Sequence, residues 1–309
     1  MRKAPFLLLL TLALVGEWSE EGGSTLPPVP SAAQDGQTST QSPDATSPYR
    51  VTSDIDWGRR VLVIDISLDF KKAGLALPEG RLTAERMVAR DLPGLAKEPL
   101  FALPLDSEGR LGEQVTSGKI TVEELLGLAQ SLTPISGAMS RDLLTFRSKW
   151  ELPLSAAAAL FVTWKQVDAI PPPLDWTASK AYTGIVIYAD KALPVHGERG
   201  VVGTVHRSLF PRIFDDNMGI VMDRWVVDPR VLVESGPVGY VTKRSADDES
   251  RVGDEPLLIR ATGLFGVDRS DILISPADAA RILTDPADRE LLAQGRVIVV
   301  VPRDKVATP

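Results

Sequence analysis

The 309-residue chain contains no cysteine. That excludes disulfides, thiol catalysis, cysteine-ligated zinc and a lipid anchor on cysteine. Histidine is almost as scarce, with His196 and His206 alone, and no H-E-x-x-H or other compact ligand spacing surrounds either one. Lys/Arg runs are missing as well. With 34 basic and 41 acidic residues the net charge is −7, so the basic footprint that nucleic acid requires is absent and no lipid-headgroup patch is present. Gly197, Gly200 and Gly203 do not form G-x-G-x-x-G, and neither a Walker loop nor a G-x-S-x-G elbow occurs. No cofactor, catalytic residue or metal site is expected.

What is present begins with Arg2 and Lys3 ahead of the apolar run APFLLLLTLALVG (4–16). It has signal-peptide length and falls short of a ~20-residue membrane span. This reads as a Sec-type export signal, with an uncleaved anchor as the alternative. LVGE (14–17) has the shape of a lipobox, but Glu17 stands where the lipidated cysteine belongs, so no lipid anchor is expected. Ser, Thr, Pro, Gln and Gly then dominate up to residue 50, a composition that cannot bury enough apolar surface to fold.

Periodicity takes over near Trp57. RVLVIDISLDF places Leu62, Ile64, Ile66, Leu68 and Phe70 on one face of a strand. LTAERMVARDL (82–92) has helical spacing and Pro93 is expected to end it. LFALPLDS (100–107) reads as a strand. TVEELLGLAQSL opens with the capping box Thr121/Glu124, with Val122, Leu125, Leu126 and Ala129 inward, and LLTFRSKWELPL (143–154) alternates as a strand with Trp150 facing the core. The prolines of AIPPPLDW (169–176) forbid a helix and suggest a boundary. Beyond it YTGIVIYAD, PLLIRATG and DILIS read as strands. Ser275-Pro276 and Asp285-Pro286 are N-cap/N1 pairs, and RVIVVVP is apolar enough for an interior strand.

The organisation expected is a signal at 1–18, a disordered linker at 19–56 and a first α+β module at 57–168. A proline-rich connection at 169–181, a second α+β module at 182–302 and a tail at 303–309 follow. The fold class is α+β, with mixed sheets and helices packed on one face.

SLFPRIFDDNMGIVM (208–222) sets Asp215, Asp216, Asn217 and Gly219 between two apolar runs. The spacing has the start of a calcium loop without its bidentate glutamate, and a β-hairpin tip explains it better. His196 and His206 with Asp215 or Asp216 are the residues from which a metal or catalytic centre would be built. RSADDESRVGDE (244–255) reads as a solvated loop.

YTGIVIYAD, SLFPRIFDD, GPVGYV, RVGDEPLLIRATG, SDILISPADAARIL and GRVIVVV occur in an order that resembles uncharacterised bacterial exported proteins. The pattern is similar to the envelope lipoprotein group that includes the flagellar accessory proteins FlgP and FlgT, in which a strand and an Ala/Arg-containing helix follow the signal, as in RLTAERMVARDL here. The resemblance covers residues 57–302 and is strongest over 182–302. It implies an envelope protein that acts by assembly or contact, with an envelope protein as partner and no catalytic residue to carry over. Glu17 departs from the group, as does the insertion LPVHGERGVVGTVHR (193–207), the place to expect a private functional loop. The expectation is an exported, periplasmic or envelope-associated, non-catalytic protein with a structural or assembly-accessory role, in the flagellum on the resemblance. The alternative is a periplasmic hydrolase or glycan-binding protein using the His196/His206 loop.

Overall fold

The computed structural model describes residues 47–164, 167–168, 170–172 and 180–303. The expected signal, the linker up to residue 46, Trp176 and the tail from 304 lie outside the described residues.

The first module runs β1 (Tyr49–Asp56), β2 (Val61–Asp69), α1 (Gly80–Leu95), α2 (Lys97–Phe101), β3 (Pro104–Asp106) and β4 (Gly109–Arg110). It continues through α3 (Leu111–Thr116), α4 (Val122–Gln130), β5 (Thr133–Met139), β6 (Thr145–Pro153) and α5 (Leu154–Ala159). Four antiparallel strands form one sheet in the order β1-β2-β6-β5. Strict alternation in β2 buries Leu62, Ile64, Ile66 and Leu68, each contributing about 1.5–3 kcal/mol of transfer free energy. The buried stripe of α1, Ala84, Val88 and Leu92, packs on that sheet. In α4 the Thr121/Glu124 capping box forms as expected.

Several expectations change here. The first sheet includes residues 49–56, which the sequence assigned to the linker, because β1 pairs along its full length with β2. α1 runs through Pro93 to Leu95; the proline has no N–H to donate to the carbonyl of Ala89, so the helix gives up one ladder bond there. Leu100 and Phe101 are helical, and only 104–106 of the stretch 100–107 is strand. In α4, Val122 and Leu126 are exposed while Leu128 is buried. Strand β5 was not expected at all.

The second module comprises β7 (Ile185–Tyr188), β8 (Leu193–Pro194), β9 (Val202–Gly203), β10 (Ile213–Asp215), β11 (Ile220–Met222), α6 (Pro229–Glu234) and β12 (Gly239–Val241). Then come α7 (Glu249–Val252), β13 (Leu257–Phe265), β14 (Asp271–Ile274), α8 (Pro276–Thr284), α9 (Pro286–Ala293) and β15 (Val297–Val300). Its mixed seven-stranded sheet has the order β11-β10-β14-β13-β7-β15-β12. β15 is interior, paired in parallel with β7 and β12, as its lack of charge implied. Ser275 caps α8 by accepting from the Asp278 N–H, and Asp285 caps α9 by accepting from the Ala287 N–H. The chain is thus an α+β protein of two modules.

The central strands are buried on both faces. Ile185, Ile187, Val297 and Val299 join the main core, while Val186, Ile298 and Val300 meet Val252 of α7 on the other side. Gly184 lets α7 approach this closely: a Cβ there would overlap the backbone of Val252. Gly184→Ala is therefore expected to cost about 1–3 kcal/mol, read by urea denaturation; an unchanged midpoint would contradict this packing.

Asp288 of α9 is buried, accepts the Tyr182 N–H at 2.8 Å and has a second oxygen with no partner among the described residues. Burial pushes its carboxyl above the ordinary range, and Asp285 adds to the shift while the Tyr182 N–H and Arg281 oppose it. A raised native pKa means that the folded state binds the proton more readily. Stability is then gained as pH falls through the folded value, and lost as pH rises from the unfolded value of about 3.9. Against Asp288→Asn, the wild type should gain relative stability as pH is lowered from neutral towards that value. Denaturation curves at several pH values check this, and a difference that is constant or grows in the other direction would refute it.

Candidate functional site

Each of the four residues singled out in the sequence has structural contacts of its own. β10 and β11 form the expected antiparallel hairpin. At its tip the Asp215 carboxylate accepts the N–H groups of Asn217 at 2.9 Å and Gly219 at 2.7 Å, and Met218 takes a φ of 64°. The Asp216 carboxylate accepts the Thr262 hydroxyl. His196 is exposed on the loop between β8 and β9, with its N–H on the Leu264 carbonyl and its ring edge-on to Phe265 at 6.0 Å. His206 is half-buried and its N–H donates to the Arg269 carbonyl. Among the described residues no three His, Asp or Glu side chains gather where they could hold a metal ion. The insertion 193–207 contains a two-stranded hairpin whose glycines Gly197 and Gly200 take positive φ. Residues 244–255 are partly helical, through α7, rather than all loop.

A polar cluster that the sequence did not announce joins the modules. Ser107 and Glu108 form the turn between β3 and β4, held by Asp106 Oδ1. This turn docks on the second module: the Leu209 and Phe210 N–H groups donate to the Pro104 and Leu105 carbonyls, and the Asp268 N–H donates to the Ser107 carbonyl. At the centre Asp271 is 0% exposed. It accepts the Ser107 hydroxyl at 2.6 Å, the Arg212 N–H at 3.0 Å and Arg212 Nε at 2.9 Å. Arg212 Nη2 also reaches Ser107 Oγ at 2.7 Å, and Nη1 reaches Glu108 at 3.1 Å. Burial raises the Asp271 carboxyl above the ordinary range against the pull of Ser107 and Arg212. For Arg212 burial works against the charge, but Asp271 and Glu108 outweigh it and its pKa ends raised. Gly266, at φ 89°, leaves the room that Ser107 occupies. No histidine contacts the hydroxyl through a hydrogen bond among the described residues, and the cluster acts as a clamp. Trp57 against Tyr240 at 5.5 Å and Phe161 against Phe210 at 6.2 Å add apolar contacts across the same seam; burial pushes the Tyr240 phenol up to about 12.

The concave feature of the first module lies at the outer edge of its sheet. A groove of about 430 Å³ runs between α1 and β5, within the range of small-ligand and side-chain pockets. Its walls are Glu85, Val88 and Ala89 on one side and Pro134, Ile135, Ser136 and Gly137 on the other, with Phe146, Ser148 and Trp150 of β6 as floor. The groove exists because β5 is short of side chain here. A Cβ on Gly137 would come within 3.2 Å of the Phe146 ring. β5 is exposed along nearly its whole length and, among the described residues, pairs on one side only. From Leu132 to Ser140 it has no charged residue, and Ile135 is 51% exposed. At its far end Ala138, Met139, Ser140, Arg141, Asp142 and Arg147 line a second recess. Asp142 is used locally, accepting the Ser140 hydroxyl and the Leu144 N–H, which hold its carboxyl below the ordinary range.

Among proteins with curated descriptions, none matches the chain. Two family models do. Residues 48–160 match the N-terminal domain of Treponema pallidum Tp0624, and residues 184–304 match the second domain of the same protein. The two modules are therefore similar, in the same order, to two consecutive domains of one protein.

Proposed function

We propose that this chain is an exported, non-catalytic protein of the bacterial envelope with a structural or assembly-accessory role. Flagellar association is the version that the resemblance to FlgP and FlgT implies. The observation that carries the reading is the long, uncharged, one-sided edge strand β5 beside an apolar groove. Edges of this kind are usually blunted by charge or by cover, and one left open is suited to contact with another chain. The clamp at Asp271 supports it in a second way, because two modules joined by buried polar contacts suit a scaffold. Signal-like residues 1–18 support export. No specific observation favours a hydrolase or glycan-binding site at His196 and His206.

The test is a clean deletion in the native host, complemented by the full-length chain. Loss of an envelope structure or of motility, restored on complementation, is the expected result. Normal assembly and motility without the protein would count decisively against the reading.

A further inference from the structure

We infer that β5 is the docking edge for an extended segment of a partner protein. That segment adds as a further strand beside residues 136–139, seats an apolar side chain in the groove against α1, and brings an acidic side chain to Arg141 and Arg147. The inference rests on the accessory reading above and supplies the chemistry of the partner.

Each part follows from position. In an edge strand alternate residues turn their N–H and C=O groups to the open side, where a partner backbone can pair with them. The sheet edges differ in how well they are protected. β1 carries Arg50, Asp54 and Asp56, and β11 and β12 are three residues each. β5 has seven residues and no charge. Its protection is confined to the first half, where Pro134 lacks an N–H and a register shift falls between Pro134 and Ser136. Residues Ser136 to Met139 have neither device. Beside this open half, the absence of a side chain on Gly137 leaves a groove of about 430 Å³ over the buried Phe146 ring, so an incoming apolar residue has a seat.

Charge selects the end. Arg141 and Arg147 are exposed in a chain of net charge −7, and with the ionised Asp142 in the same recess this end keeps one net positive charge. An acidic partner is repelled by most of this surface and attracted here.

The experiment places p-benzoylphenylalanine in the full-length chain in its native host, either as Ala138→p-benzoylphenylalanine on β5 or as Val267→p-benzoylphenylalanine on the second module, where the residue is 86% exposed. Irradiation followed by sequencing of the linked peptide gives the result. The expected outcome is a protein adduct through position 138 whose linked segment alternates apolar residues and has Asp or Glu at one end. Arg141→Glu with Arg147→Glu should lower its yield by about tenfold, as charge reversal at an interface does, with an unchanged thermal melt. Ile135→Asp should abolish it. An adduct with a lipid or small molecule, with a second copy of this chain, or with a segment insensitive to both variants overturns the inference. Protein adducts through position 267 alone also overturn it, yet leave the accessory reading standing. A chain that links through neither position and is recovered by itself overturns both.

Discussion

Asp271→Ala is expected to destabilise the protein by about 3 kcal/mol, the low end of the cost of breaking a buried pair, because the guanidinium left behind is half-buried rather than sealed from water. Arg212 would keep its guanidinium at the seam with only Ser107 and the exposed Glu108 to receive it. Ser107, fully buried, would lose the acceptor for its hydroxyl. The effect should be non-additive. Arg212→Ala removes the stranded charge, so the double variant should lose less than the sum of the two single ones, with a coupling of about 0.5–3 kcal/mol. Urea denaturation of the four proteins measures it. A loss below about 1 kcal/mol, the value of an exposed ion pair, would show that the cluster does not hold the modules together.

Phe146→Ala should cost about 3–5 kcal/mol in stability, by lost transfer energy plus the cavity left behind. The ring is 1% exposed, belongs to the core beside its β2 register partner Leu68, and lines the floor of the groove. Two features decide where in that range the value falls. Neighbouring strands fix the backbone on both sides of β6, which limits collapse into the cavity. The space adjoins an open groove, so water can enter it and the residual cavity is less costly than a sealed one. The expected value is thus nearer the lower end, about 3 kcal/mol. Phe146→Leu, which retains most of the volume, should lose well under half of that. Equal losses for the two variants would contradict a packing origin.

Much of the fold could be read from local code, because local physics decides those parts. The alternation of β2 from Leu62 to Leu68, the N-caps Ser275 and Asp285, and the Asx-type turn at Asp215 depend on neighbours in the chain. Uncharged β15 likewise identified itself as interior. What was missed depends on partners distant in sequence. β1 looks like linker because its outward residues Arg50, Asp54 and Asp56 are polar, and only pairing with β2 makes it a strand. α4 offers apolar residues on more than one side, and packing chose Leu125, Leu128 and Ala129 over Val122 and Leu126. β5 contains Pro134, Ser136 and Gly137, poor strand formers by propensity, so its place beside β6 was invisible. The clamp was equally hidden, since Ser107, Arg212 and Asp271 stand 105 and 59 residues apart and each is unremarkable where it occurs. An aspartate opening the otherwise apolar strand DILI is the one local irregularity that could have flagged it.

The candidate site follows the same division. His196, His206, Asp215 and Asp216 drew attention as residue types, and the structure uses Asp215 in the hairpin turn and Asp216 as the acceptor of the Thr262 hydroxyl on β13. The edge of β5 drew none, because its chemistry lies in backbone groups, small side chains and missing charge. A surface of that kind is suited to contact with another chain.

Whether the protein works by contact is tested most directly by chemical cross-linking of the tagged full-length chain in its native host, followed by envelope fractionation and mass spectrometry. The expected result is reproducible recovery of the same envelope protein with the wild type and its loss with Ile135→Asp, while a control substitution of exposed Leu82 to Asp on α1 leaves recovery unchanged. Recovery of the wild-type chain as a free protein with no partner would contradict a role in assembly.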